Sequence, residues 1–86
     1  MRSYEVEVSQ TAERQLKQLS GDVQLRVVRA IKALAHQPFP RGARKLSGYR
    51  DVYRLRVGRY RILYSVEQSR LTIIILKLGH RRDVYR

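Results

Sequence analysis

Apolar and polar residues alternate along Asp51–Val66 in the pattern of a β-hairpin. Gly58-Arg59 has the Gly-X form of a two-residue hairpin loop, and this turn predicts a register with Arg56 opposite Arg61. Alternation then assigns a predicted core face to Tyr53, Leu55, Val57, Tyr60, Ile62 and Tyr64. The opposite face holds Arg54, Arg56 and Arg61, with Leu63 and Ser65.

Two arginines directly opposite one another weaken a hairpin, by roughly 0.2–1 kcal/mol on the usual cross-strand scale. A chain that only needs to fold gains nothing from setting Arg56 against Arg61. One hypothesis is therefore that an anion lies on this face. The alternative is that these arginines form the solvated side of a half-buried sheet. Features elsewhere in the sequence are needed to distinguish the two hypotheses.

The segment before the hairpin predicts a strand followed by a helix. Tyr4–Val8 alternates apolar and acidic residues, as in a strand with one solvated face. Ser9 is a candidate N-cap for a short amphipathic helix with an apolar stripe at Ala12, Leu16 and Leu19. In the following Ser20-Gly21-Asp22, Gly21 suits the C′ position of this helix and Asp22 suits the cap of the next.

A second helix, a loop and a last strand complete the pattern. The helix has its apolar side at Val23, Val27, Ala30, Ile31 and Leu34. Pro38 and Pro40 end it, and a charged loop rich in turn residues extends from Phe39 to Tyr49. After a turn at Glu67–Arg70, the run Leu71–Leu78 is apolar on both sides, which is typical of a strand that is covered on both faces.

The predicted order of elements is β-α-α-β-β-β, an α+β fold in which a small, mainly antiparallel sheet carries a two-helix hairpin on one face. Residues 1–86 are expected to form a single domain, since 86 residues leave room for one core. The helices can cover only one face of the last strand, and the tail Gly79–Arg86 is short. A partner protein is therefore expected to cover Ile74, Leu76 and Leu78.

The charge of the chain indicates a polyanionic partner. Nineteen Lys and Arg stand against seven Asp and Glu, a net charge of +12. Residues 1–40 carry six basic and four acidic groups (+2), and residues 41–86 carry thirteen and three (+10). Most are arginines, which suit bidentate phosphate contacts. A membrane surface would favour a basic amphipathic helix, whereas this excess lies in predicted strands and loops, so nucleic acid or an acidic protein is favoured.

Composition also excludes several kinds of site. The chain has no cysteine, hence no disulfide, thiolate nucleophile or sulfur metal site, which fits the cytoplasm. Met1–Glu5 has no apolar segment of a signal peptide, and no apolar run is long enough to cross a bilayer. His36, His80 and the scattered acidic residues form no metal-ligand pattern, and there is no glycine-rich phosphate loop. We expect no metal and no cofactor.

Arginine, tyrosine and histidine remain for chemistry, and they suit attack of a ribose 2′-hydroxyl on its own phosphodiester. RNA supplies the nucleophile, so the protein needs to orient it, neutralise charge on the phosphate and move protons. His80 and Tyr85, whose side chains can transfer protons, follow the last predicted strand. The alternatives are a loop histidine without a role and a tyrosine that only packs.

The phrases LSGYRDVYRLRVGRYRILYSV and LKLGHRRDVYR, together with the β-α-α-β-β-β order, resemble the RelE/ParE superfamily of toxins from type II toxin–antitoxin systems. The RelE branch is favoured. The resemblance implies a small, metal-independent endoribonuclease that enters the ribosomal A site, beside 16S rRNA, and cleaves mRNA there. It also implies an antitoxin that wraps around the toxin, with oligomers formed only through that complex.

The family's active site falls on Arg54, Arg56, Arg61, Arg81 and Tyr85 of this chain. The best-known RelE sites have lysines at the first two positions. Arginine stays protonated, so these two are expected to act as electrostatic clamps, which leaves acid–base work to His80, Tyr85 or water. General attraction toward RNA is assigned to Arg41, Arg44, Lys45, Arg50 and Arg82.

Two other functions remain open at this point. A ParE-type member would share the fold but inhibit DNA gyrase and lack the ribonuclease residues. A non-catalytic nucleic-acid-binding module would have neither activity.

Overall fold

The computed structural model describes residues 3–80, and these residues form two helices and a five-stranded sheet. The elements are β1 (Glu5–Val8), α1 (Gln10–Lys17), α2 (Gly21–Leu34), β2 (Arg44–Lys45), β3 (Val52–Val57), β4 (Tyr60–Glu67), a 3-10 turn (Gln68–Arg70) and β5 (Thr72–His80). The strand order is β1-β5-β4-β3-β2, with β1 parallel to β5 and the other pairs antiparallel. The α+β prediction is confirmed, and the short strand β2 is added inside the predicted loop.

Strands β3 and β4 form the predicted hairpin in the predicted register, with Val57 opposite Tyr60 and Arg56 opposite Arg61. Gly58 has a φ of +61°. A residue with a Cβ would be strained at this angle, which is why glycine suits the first position of the turn. The local turn chemistry therefore sets the face on which every side chain of the hairpin lies.

The predicted boundary between the helices is wrong by two residues. Gln18 is the C-cap of α1, Ser20 is the N-cap of α2, and α2 already begins at Gly21. Gly21 is not among the described glycines with positive φ, so it does not act as a C′ glycine. Asp22 lies in the first turn of α2, where its negative charge is favourable near the positive end of the helix dipole.

Ser9 caps α1 as predicted and also ties this helix to β5. Its Oγ accepts a hydrogen bond from the Ala12 amide at 3.0 Å and donates one to the Leu76 carbonyl at 2.8 Å. One turn further along, the Gln15 Oε1 atom accepts a hydrogen bond from the Leu78 amide at 2.7 Å. The N-cap and the second turn of α1 thus supply hydrogen bonds to β5 at residues beyond those that pair with β1.

The pairing of β4 with β5 contains a β-bulge. Tyr64 lies opposite Ile75. The next pair is Leu63 with Lys77, so Leu76 is one extra residue on β5. Because side chains alternate along a strand, the extra residue reverses which positions of β5 face the helices from there on.

The bulge corrects one prediction about the outer face, the face of the sheet that lies away from the helices. Regular alternation predicts Leu78 there with Ile74 and Leu76, but Leu78 is 1% exposed and belongs to the core. Ile74 and Leu76 are half-buried. The apolar part of the outer face is therefore smaller than regular alternation predicts.

The core lies between the helices and the inner face of the sheet. Its buried members are Ala12, Val27, Ile31, Leu34, Ile62, Tyr64, Val66, Ile73, Ile75 and Leu78. They combine the helix stripes and the alternate positions of β4, two patterns that the sequence shows, with Ile73, Ile75 and Leu78 of β5, where the bulge interrupts the alternation. No helix within residues 3–80 has the length and apolar character needed to cross a membrane.

Three aromatic rings hold the segment that follows α2 against the sheet. Tyr64 stacks on Tyr53 with ring centroids 5.9 Å apart, and Phe39 meets Tyr53 edge-on at 4.9 Å. The buried Tyr64 hydroxyl donates a hydrogen bond to the Pro38 carbonyl at 2.8 Å. Burial, and to a smaller extent the neighbouring Tyr53, raises the pKa of Tyr64 to about 12.

We expect Tyr64→Phe to change how stability depends on alkaline pH. The pKa of Tyr64 in the folded state lies above its ordinary value of 10.0, so the stabilisation is complete below that value and is lost as pH rises toward 12. Between about pH 9 and 11 the free energy of unfolding of the parent should fall by roughly 1 kcal/mol more than that of the variant. Urea unfolding of both proteins at several pH values in this range measures the difference.

Tyr49→Phe is the matched control, because Tyr49 is 62% exposed. The free energy of unfolding of Tyr49→Phe should depend on pH in the same way as that of the parent. Parallel pH dependences for the parent and Tyr64→Phe would contradict the role of the buried hydroxyl.

Candidate functional site

The short strand β2 brings a fourth arginine to the outer face of the hairpin. Arg44 lies opposite Arg54 on β3, and Lys45 lies opposite Tyr53. Residues directly opposite each other in an antiparallel pair point to the same face. Arg44 therefore joins the face of Arg54, and Lys45 belongs to the other face.

A four-residue turn leads the chain into β2. The Ala43 amide donates a hydrogen bond to the Pro40 carbonyl at 3.0 Å, and Gly42 has a φ of +95°. This is the geometry of a type II turn, whose third position favours glycine. The Leu46 amide then donates to the Val52 carbonyl at 2.8 Å, which extends the contact of β2 with β3 by one residue.

Four arginines from three neighbouring strands line one cavity of about 310 Å³ on the outer face. We call it the arginine cavity, and the described residues that line it are Gly42, Arg44, Arg54, Arg56 and Arg61. It contains two cross-strand pairs, Arg44 with Arg54 and Arg56 with Arg61. Positive charges confined in a cleft attract anions more strongly than the same charges spread over a surface. The arrangement suits a phosphate-bearing ligand.

The rest of the outer face changes from basic to apolar and then to acidic. Leu63 lies between Arg54 and Lys77 in the sheet and is 8% exposed. Long basic side chains can cover such a residue with their aliphatic stems while their charges stay in water. At the far edge, Glu5 and Glu7 alternate along β1 with residues that face the helices.

His80 lies on the inner face of the sheet. It pairs with Tyr60, and the two rings meet edge-on with centroids 5.8 Å apart. Arg61, on the outer face, pairs with Gly79. The structure therefore does not bring His80 together with the arginine cavity.

The remaining predicted residues divide into two groups. Arg41, Lys45 and Arg50 are exposed and are not among the described residues that line the cavity. Arg81, Arg82 and Tyr85 lie outside the described residues. Within residues 3–80, no three His, Cys, Asp or Glu side chains come together in a way that could hold a metal ion.

Comparison with known proteins identifies the family. Residues 6–85 match the family described as ParE toxin of type II toxin–antitoxin system, parDE. The match spans almost the whole chain, so the protein belongs to this family of toxins.

Similar proteins indicate the branch of the superfamily. Toxin RelG from Mycobacterium tuberculosis is 34% identical over 87 residues, covering 96% of this chain and 97% of RelG. The archaeal RelE–RelB complex from Pyrococcus horikoshii has a TM-score of 0.83 at 32% identity, covering 95% of this chain and 99% of that chain. The RelBE2 complex from Mycobacterium tuberculosis has a TM-score of 0.81 at 30% identity, covering 92% and 99%. The chain is a toxin of the RelE/ParE superfamily, and its relatives favour the RelE branch.

Proposed function

We propose that this toxin is an endoribonuclease that cleaves mRNA, on the ribosome, by attack of a ribose 2′-hydroxyl on the adjacent phosphodiester. The observation that carries the proposal is the arginine cavity, where three neighbouring strands place four arginines around one space. Similarity to toxins of the RelE branch supports it. Such a function belongs in the cytoplasm, where translation takes place.

Arginine suits the part of this reaction that concerns charge. The pentacovalent phosphate of the transition state carries more negative charge than the phosphodiester, so preorganised donors aimed at it lower the barrier. Since arginine stays protonated, it can neutralise that charge but does not act as a base. We assign Arg61 and Arg81 to the phosphate in the transition state, and Arg54 and Arg56 to that phosphate or its neighbours.

Proton transfer then requires another group. His80 lies beside Tyr60 on the inner face, so we propose that Tyr85 or solvent moves the protons. His80→Gln should leave the pH dependence of single-turnover cleavage unchanged. A changed pH profile in that variant would return the role to His80.

We propose an antitoxin as the protein partner, because the similar solved structures include toxin–antitoxin complexes. The net charge of +12 favours an acidic segment. The half-buried Ile74 and Leu76 on β5 favour Leu, Ile or Val anchors within it. Hydrogen exchange on the free and bound toxin tests this surface. We expect slower exchange in β5 and around the arginine cavity, and unchanged exchange in both would contradict the proposal.

One observation favours a second function, inhibition of DNA gyrase, because the matched family is described by the ParE toxin. In vitro translation with primer extension on the message, run beside a gyrase supercoiling assay, separates the two. We expect discrete cuts in phase with the codons and normal supercoiling. Intact message with impaired supercoiling would establish the gyrase function, and no effect in either assay would leave a nucleic-acid-binding module.

A further inference from the structure

We infer that the arginine cavity holds two successive phosphates of one RNA strand, the first between Arg56 and Arg61 and the second between Arg44 and Arg54. The inference rests on the proposed function, because it takes single-stranded RNA as the ligand. It adds a second phosphate subsite and gives Arg44 a role in placing the substrate, beyond general attraction toward RNA.

The four arginines stand in two rows. Within each row, Cα atoms on neighbouring antiparallel strands lie about 4.5–5.5 Å apart. Arg54 and Arg56 are two residues apart on β3, so the rows are separated by about 7 Å along the strand. This distance along β3 is close to the spacing of neighbouring phosphorus atoms in a single strand of RNA. One row spans β2 and β3 and the other spans β3 and β4, so their midpoints are also offset by about 5 Å across the sheet, a distance that the long arginine side chains can span. An RNA backbone that runs along β3 would present one phosphate to each row.

The same electrostatic reasoning applies to both rows. Each row sets two arginines opposite one another on the same face, so the two guanidinium groups of a row can hold one phosphate through charge-assisted hydrogen bonds. A phosphate placed at the Arg56–Arg61 row lies one row away from Arg44. The Arg44–Arg54 row is therefore placed to hold the next phosphate of the same strand.

The cavity extends over both rows, because its described lining includes Arg44 and Arg54 of one row and Arg56 and Arg61 of the other. Gly42 lines the cavity beside Arg44, and having no side chain it leaves this end of the cavity open.

The chain supplies a matched control for Arg44. Lys45 is the next residue on the same short strand and is also exposed. It lies opposite Tyr53, on the other face of the sheet. Removing the charge of Lys45 changes the net charge as much as removing that of Arg44, but leaves the cavity unaltered.

The experiment uses a 2′-O-methyl trinucleotide, which has two phosphates and cannot be cleaved, and a version in which one linkage is a neutral methylphosphonate. Binding to the full-length toxin is followed by NMR titration. In the parent, neutralising the linkage that faces the Arg44 row should weaken binding by about tenfold or more. In Arg44→Ala this penalty should disappear, and in Lys45→Ala it should remain.

Arg44→Gln keeps a long side chain without the charge and should behave like Arg44→Ala, which guards against loss of β2 in the alanine variant. An equal penalty in the parent and both Arg44 variants, while Arg56→Ala still weakens binding, would overturn the second subsite and leave the proposed function standing. Trinucleotide binding that none of the cavity arginines affects would overturn both.

Discussion

Arg61→Ala should lower the saturated single-turnover rate of RNA cleavage by about 10²–10³, the usual effect of removing one preorganised donor. Arg61 lines the arginine cavity from β4, opposite Arg56. A donor that acts on the charge of the transition state changes the rate at saturation, whereas one that only attracts the substrate changes its affinity. Measuring the rate at saturating RNA separates the two effects.

Arg59→Ala is the matched control for this prediction. Arg59 is exposed in the hairpin turn, two residues from Arg61, and is not among the described residues that line the cavity. Its removal should leave the saturated rate near that of the parent, with at most a decrease of ~0.7 in the salt slope of binding for one lost phosphate contact. Equal losses of rate in Arg59→Ala and Arg61→Ala would mean that the cavity arginines only attract RNA electrostatically.

If Arg56 and Arg61 only stabilised the fold, Arg56→Ala would lower the melting temperature and leave the activity per folded molecule near normal. Because Arg56 faces Arg61 across the hairpin, Arg56→Ala removes a like-charge contact and should leave the melting temperature unchanged or slightly raised. Melting and single-turnover rate are measured on the same preparation. A clearly destabilised Arg56→Ala with near-normal activity per folded molecule would rule out the site assignment.

Leu78→Ala should lower the free energy of unfolding by about 2–5 kcal/mol, the range for deleting a buried leucine side chain. Leu76→Ala should cost far less, about 1 kcal/mol, since Leu76 is the half-buried extra residue of the bulge. The two positions lie on the same strand and start from the same side chain. Urea unfolding with unchanged m-values measures the difference. Similar small costs at both positions would mean that β5 alternates regularly without a bulge, with both side chains on the outer face.

The hairpin could be predicted in full from the sequence. Its turn has a local signal in Gly58-Arg59, and its two strands alternate clearly, so register and faces follow from residues close in the chain. The confirmed register places Arg54, Arg56 and Arg61 on one face before any tertiary contact is known.

The bulge in β5 could not be predicted, because almost every residue from Leu71 to Leu78 is apolar. A strand without polar positions has no alternation from which a slip of one residue could be read. The bulge also changes the position of His80, a candidate catalytic residue. Regular alternation would place His80 on the face of the arginines, and the extra residue Leu76 places it beside Tyr60 instead.

The place of Arg44 in the cavity could not be predicted, for a related reason. A strand of two residues is too short to show a period, and β2 exists through its pairing with β3, which lies several residues further along the chain. The sequence signal is the turn, since Gly42 stands at the third position of a type II turn, where glycine is favoured. That signal shows where the chain turns, but only the pairing register shows which side chain enters the cavity.

The most direct measurement replaces one ribose in a message by 2′-deoxyribose, at the nucleotide whose 2′-hydroxyl would attack at a mapped cut. We predict that cleavage is lost at that position and continues at the other sites, where the products end in a 2′,3′-cyclic phosphate and a 5′-hydroxyl. Cleavage that persists at the deoxy position, or products with a 5′-phosphate, would contradict a reaction in which RNA supplies its own nucleophile to the arginine cavity.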